Sequence, residues 1–326
     1  MSEYNYEELS QKLLSLNFSN FDPSKPLTVL WFGGGQDSTA LLLMSKYHEE
    51  FKAKYCQDNF VVIMSNTGNE FPETYEFLGR VEAFCETNGI PYFFLKSNMG
   101  FHTSTWLSLQ HQFRKNNSIM SVVGIKSCTD SLKIQPCYKF LDFYIGTNYG
   151  WTWEYKRAIK SYFQQFGKIK VIIGFAKGEE KRVANSKEDY ETENDKRPLW
   201  MQKCVEYHYP LIDYGMDRAD CQNYIREIDS LPVPMPSNCM FCMFQSPQEI
   251  LYLESFHHKS WLEWIEYENN KIQRDTLRGV KNNLGVKGNR LLPEFLENAK
   301  KKFGHLTDQA LIDYKFSHGH CVQSKI

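Results

Sequence analysis

Between Leu27 and Met64 the sequence leaves few folds open. Leu27-Thr28-Val29-Leu30-Trp31 is an apolar, β-branched run of strand length, Gly33-Gly34-Gly35 is a turn, and Gln36 to Met44 reads as a helix carrying Ala40, Leu41, Leu42 and Leu43. Phe60-Val61-Val62-Ile63-Met64 then supplies a second buried strand. A strand, a helix and a strand in that order imply a right-handed crossover between parallel strands, with helices on the faces of the sheet. The glycines let the backbone approach an anion closely, Ser38 and Thr39 add hydroxyls, and the first-turn N–H groups point outward, so the turn reads as a phosphate cradle. A glycine-rich tight turn without a ligand is the plainer alternative.

The same alternation continues. Helical spacing over residues 73 to 88 (Tyr75, Leu78, Val81, Phe84) stops at Asn88-Gly89, and Pro91 to Leu95 and Ile169 to Gly174 are the third and fourth strands. A fifth strand is expected from Tyr207 to Ile212, followed by a helix through Tyr224-Ile225 that Asp217 can cap. Residues 1–26 read as a lead-in helix and a turn, and Lys177 to Arg197, dense in both charges, as a mobile surface loop. The fold class is therefore α/β: a doubly wound, mostly parallel, five-stranded Rossmann-like sheet over residues 27–235. A Pro-rich border at Ser230 to Asn238 leads into a helical, aromatic-rich region over 236–326. Within that region Trp261, Trp264 and Tyr267 recur at helical spacing, as core or as a subunit contact.

With 326 residues, 42% apolar and 24% charged, the chain has ample material for a core, and a net charge of −1 gives no bulk electrostatic case for nucleic acid, only room for a local basic face. There is no basic-then-apolar start and no bilayer-length apolar run, so the expectation is a cytoplasmic protein without a membrane partner. Nine cysteines, an odd number, are then buried thiols, metal ligands or redox groups rather than disulfides.

The cradle lacks the lysine of a P-loop and the spacing of a dinucleotide fingerprint. It resembles the S-G-G-x-D-S signature of the PP-loop ATP pyrophosphatases, matching at Gly34, Gly35, Asp37 and Ser38, with Gly33 in the serine position. Asn66-Thr67-Gly68-Asn69-Glu70-Phe71-Pro72-Glu73-Thr74 is similar to the D-T-G-H-E-F-P-E-T element of that superfamily's phosphoadenylyl-sulfate reductase branch, departing from it at Asn66 and Asn69. Cys128-Thr129 with Lys133-Ile134 and Pro136 resembles its C-T-x-x-x-K-I-x-P element, and Gly174 to Val183, with Arg182, its G-I-x-x-D-E-x-x-R-V element, Gly178 standing where an aspartate is usual. Tyr209-Pro210-Leu211-Ile212-Asp213, with Arg218 beyond it, matches a Y-P-L-x-D segment and reads as fold residues. The resemblance implies an adenine-nucleotide site at the carboxyl edge of the sheet. Its binding residues would be Gly33, Gly34, Gly35, Ser38, Thr39, Asn66, Thr67, Gly68, Glu70, Cys128, Thr129 and Gly174; Asp37, Ser38, Lys133 and Arg182 would handle phosphate charge, with Mg2+.

Ser237-Asn238-Cys239-Met240-Phe241-Cys242-Met243-Phe244 is similar to the S-x-C-x-x-C-P-F segment of the same proteins, with Met243 replacing the proline. A C-x-x-C turn serves a metal or a redox pair. Cys128, Cys321, His318 and His320 are candidates to complete a zinc site or an iron–sulfur cluster. Three functions follow from the resemblance. The first is cleavage of ATP between the α and β phosphates to activate an acceptor in sulfur transfer or nucleic-acid modification. The second is thiol-dependent reduction of phosphoadenylyl or adenylyl sulfate, for which Gly319-His320-Cys321-Val322 is not the expected E-C-G-x-H element. The third is a non-catalytic nucleotide-binding subunit with a protein or nucleic-acid partner, since the ATPase component of DNA phosphorothioation systems has a similar motif set. Oligomers fit any of the three.

Overall fold

The computed structural model describes residues 21–183 and 197–318. Most of the expected lead-in helix, and residues 184–196 of the charged loop, lie outside them. Five strands, β1 (Leu27–Trp31), β2 (Asn59–Ser65), β3 (Tyr92–Leu95), β4 (Ile169–Ile173) and β5 (Val205–His208), form one sheet in the order β3-β2-β1-β4-β5. Every pairing is parallel. β1 sits at the centre, and its apolar run suits that position: Val29 and Leu30, on opposite faces, are both fully buried. The order reverses on either side of β1, which puts the switch point at the glycine turn that follows it.

Each face is covered by its own apolar layer. Helix Gln36–Tyr47 joins helices Pro72–Thr87 and Arg218–Ile228 on one side through Leu41, Phe77 and Ile225. On the other side Gln135–Tyr149 and Arg157–Phe166 bury Phe140, Tyr144 and Ile159. Pro72 opens its helix at the first position, where a missing N–H costs nothing, and the helix stops at Asn88 before Gly89 at φ +64°. Asp217 caps its helix in a capping box with Asp220.

The fifth strand differs from the expected Tyr207–Ile212. It starts at Val205 and stops at His208, and Pro210–Asp213 is a single helical turn. Pro210 has no N–H for a ladder and its fixed φ suits a helix start. Beyond Pro234 the chain forms four helices among the described residues, Pro247–Phe256, His258–Leu277, Leu292–Phe303 and Asp308–His318, around a third apolar cluster with Trp261, Trp264 and Phe241 at its centre. Trp261 and Trp264 are core. No helix among the described residues is long and apolar enough to cross a membrane.

Candidate functional site at the carboxyl edge of the sheet

The turn after β1 is fixed by what packs on it. Gly34 has φ +73°, and a Cβ there would stand 3.1 Å from Met64 Cε on β2. Gly174, at the end of β4, backs directly onto the first turn of helix Gln36–Tyr47, where an added Cβ would lie 3.0 Å from the Ser38 nitrogen. Glycine at both positions lets β1, β2, β4 and the helix N-terminus converge within van der Waals contact. Ser38 Oγ and Thr39 Oγ1 donate to the Gly35 carbonyl at 3.1 and 2.9 Å, closing the turn.

A cavity opens at this point. From the turn it is lined by Gly33, Gly35, Asp37 and Ser38, and Gly174 and Arg182 face them from the β4 side. Thr129 and Lys133 close a third side, from a π-helical turn at Asp130–Ile134. The floor is aromatic. Trp31, Tyr138 and Tyr207 belong to it, with the two tyrosine hydroxyls 2.8 Å apart. Cys137 also lines it, its thiol pushed up to about 12 by burial, so it stays protonated near neutrality.

Charge at the cavity is organised around two arginines. Arg218 Nη2 lies 3.5 Å from Asp37 Oδ2 and 3.3 Å from Glu179 Oε1, and Arg182 Nη1 is 2.7 Å from the same Glu179 oxygen. Arg182 also stacks over Phe175, 4.2 Å from the ring centre. Burial raises the Asp37 pKa, and Arg218 partly offsets it. Asp37 Oδ1 is buried without a hydrogen-bond partner among the described residues. An acceptor left this way on a cavity wall fits a ligand proton or a Mg2+ ion. Arg218 is the site residue that sequence reading misses. It sits beyond the Y-P-L-x-D segment, far along the chain from Asp37, and only the fold brings the two together.

The remaining expected binding residues fall outside the lining. Thr39 is fully buried in its helix. Asn66 turns inward, its Oδ1 accepting from the Gly68 nitrogen at 2.8 Å and from Tyr75 Oη at 2.9 Å. Gly68, at φ +71°, packs on Ser108, and Thr67 Oγ1 donates to Glu70 Oε1 at 3.0 Å. Their turn grips the C-x-x-C loop: Phe241 N and Met240 N donate to Asn69 Oδ1 and O at 2.8 Å, Glu70 pairs with Cys239, and Ser237 Oγ donates to Glu70 Oε2 at 3.2 Å. Glu70 is buried, with Lys133 Nζ 3.7 Å away, so it connects this clasp to the cavity. Gln36, at the variable position of the signature, donates to the Pro234 and Phe316 carbonyls and ties the cradle to the helical region.

Cys239 and Cys242 lie one turn apart, with Cys242 N donating to the Cys239 carbonyl at 3.2 Å. Burial first, then Glu70, pushes the Cys239 thiol well up. Cys128 packs on the same apolar cluster as Cys239. Among the described residues no three His, Cys, Asp or Glu side chains gather to hold a metal ion. His318 stacks on Tyr314 at the end of the last helix, and His320 and Cys321 lie outside the described residues.

A parallel doubly wound sheet whose first crossover turn, acid and arginines meet at its carboxyl edge defines an α/β protein of the class in which that edge is the usual place for a ligand. The chain belongs to the phosphoadenosine phosphosulfate reductase domain family, whose pattern matches residues 27–235. Among solved structures, the U34-tRNA thiolase NcsA from Methanococcus maripaludis, with its 4Fe-4S cluster, aligns over 93% of this chain and 80% of its own, at 13% identity and a TM-score of 0.39. A comparison with curated proteins finds no match.

Proposed function

We propose that the cavity binds an adenine nucleotide with its phosphates against Gly33–Ser38, and that the protein cleaves ATP between the α and β phosphates to activate an acceptor. The observation that carries this reading is the convergence of Lys133, Arg182 and Arg218, from three separate elements, on a wall that also holds the Ser38 turn and the unpartnered Asp37 Oδ1. An acceptor nucleophile attacks the α phosphorus, the α–β bridging oxygen leaves with pyrophosphate, and AMP is left on the acceptor. Three fixed cations suit the charge that develops on the α phosphate and the leaving group. Glu179 holds Arg182 and Arg218 in register, so the guanidinium groups are oriented before the ligand arrives. Mg2+, with Asp37 as its protein ligand, would neutralise phosphate charge.

Pyrophosphate release from ATP and Mg2+, run beside sulfite release from phosphoadenylyl sulfate, tests the reading. Pyrophosphate without sulfite supports it. Sulfite release identifies a reductase, and tight nucleotide binding with neither product identifies a non-catalytic subunit.

A further inference from the structure

The chain's carboxylates are unevenly spread. From Thr87 to Thr129, and again from Thr276 to Pro293, there is no aspartate or glutamate, in a protein whose net charge is only −1. The fold stitches these two segments together. Val122 N donates to the Val286 carbonyl at 3.0 Å, Ser121 Oγ to the Gly285 carbonyl at 2.7 Å, and Arg274, at the edge of the second segment, to the Asn116 carbonyl. The result is one ridge carrying exposed Lys115, Arg278, Lys281 and Arg290.

None of these four has a carboxylate within salt-bridge distance among the described residues. Two acids beside the ridge are already engaged: Glu263 accepts from Arg114 at 2.7 Å, and Asp275 is held by Lys271 and Arg274. The same two segments expose Val123 at 62% and Ile125 at 90%, with the exposed amides Asn117, Asn282 and Asn289. Cations without counter-charges, on segments that also expose amides and apolar side chains, suit a polymer with a repeating anionic backbone and flat apolar faces. An acidic protein surface would satisfy the charge but leave Ile125 without a purpose.

The ridge also leads to the site. Its first segment runs on through Lys126 to Thr129, which lines the cavity. In its second segment Lys287 reaches back to the Met243 and Gln245 carbonyls of the C-x-x-C loop, whose Ser237 lines the cavity too. We infer that this ridge is a nucleic-acid docking surface that seats the phosphodiester backbone of the acceptor beside the cavity. The identification of the bound polymer as acceptor rests on the function proposed above; the docking itself does not.

The test is fluorescence anisotropy of the full chain with short labelled single-stranded RNA, hairpin RNA, single-stranded DNA and duplex DNA, and with a polyglutamate peptide as the non-nucleic polyanion. Binding at about 50 mM salt is expected, with a log–log salt slope that falls by about 3 when four phosphate contacts are lost. The K115Q/R278Q/K281Q/R290Q variant should bind at least about tenfold more weakly and should bind ATP as the wild type does. The single substitution Lys281→Glu, less able to disturb folding, should weaken binding in the same direction. The arm that binds tightest tells RNA from DNA. Absence of binding in every nucleic-acid arm, preference for polyglutamate, or equal affinity in the variants overturns the inference. Nucleic-acid binding that persists with its salt slope while ATP fails to bind overturns the proposed function and leaves this surface standing.

Discussion

Arg218 Nη2 stands 3.5 Å from Asp37 Oδ2, across the start of the helix that follows the glycine turn. The contact joins the first crossover helix to the last helix of the α/β domain, and it sits on the cavity wall. Removing the guanidinium leaves a buried carboxylate without its cation, so Arg218→Ala should raise the Asp37 pKa further and reduce turnover about a hundredfold. A double-mutant cycle with Asp37→Asn checks the coupling: additive effects on kcat/KM would show that the pair does not act as a unit.

Asp37→Ala and Ser38→Ala should each lower turnover about a hundredfold with the fold intact, since each removes one preorganised group from the phosphate wall. Thermal melting beside steady-state kinetics separates folding from chemistry. Wild-type turnover in both variants would take the turn out of the mechanism.

Gly174→Ala directs a Cβ to 3.0 Å from the Ser38 nitrogen and 3.2 Å from the Asp37 carbonyl carbon. Both are backbone atoms, so the helix start must shift, at a cost of about 1–3 kcal/mol in stability together with weaker nucleotide binding. Gly33→Ser is the contrasting case. Its nearest neighbour is Ser38 Oγ at 3.8 Å, so the serine of the family signature fits, and denaturation midpoints should match the wild type.

Lys287 is pulled down to about 8 by burial, below its ordinary 10.5, while donating to two carbonyls. Between those values the unfolded chain holds the proton more tightly than the folded one. This contribution to stability is therefore fully present above about 10.5 and lost as pH falls through about 8. Urea midpoints measured from pH 7 upward for wild type and Lys287→Met should diverge, the wild type gaining relative to the variant as pH rises. A constant difference would contradict the assigned pKa.

The sheet is legible in the sequence because its signals are local. β1 and β4 are short runs dominated by apolar, largely β-branched residues, and the helix ends at Asn88 and Asp217 carry their own stop and start residues. β5 departs from its expected bounds because Tyr207 to Ile212 is apolar enough for a strand, whereas Pro210 decides the local geometry. At the site, Gly33, Asp37, Ser38, Lys133, Gly174 and Arg182 do converge, as the order of motifs suggests. The Arg218–Asp37 pairing and the use of Asn69 to grip the C-x-x-C loop depend on tertiary contacts with no local pattern. The same holds for the basic ridge, whose two acid-free segments become one surface only through the Val122–Val286 and Ser121–Gly285 bonds.

The central claim is scission between the α and β phosphates, and 31P NMR of the products formed from ATP and Mg2+ tests it most directly. With water standing in for the acceptor at the α phosphorus, the expected products are AMP and pyrophosphate in equal amounts, both formed about a hundredfold more slowly in Asp37→Ala. ADP with orthophosphate, or ATP left unchanged by the wild-type protein, would contradict it.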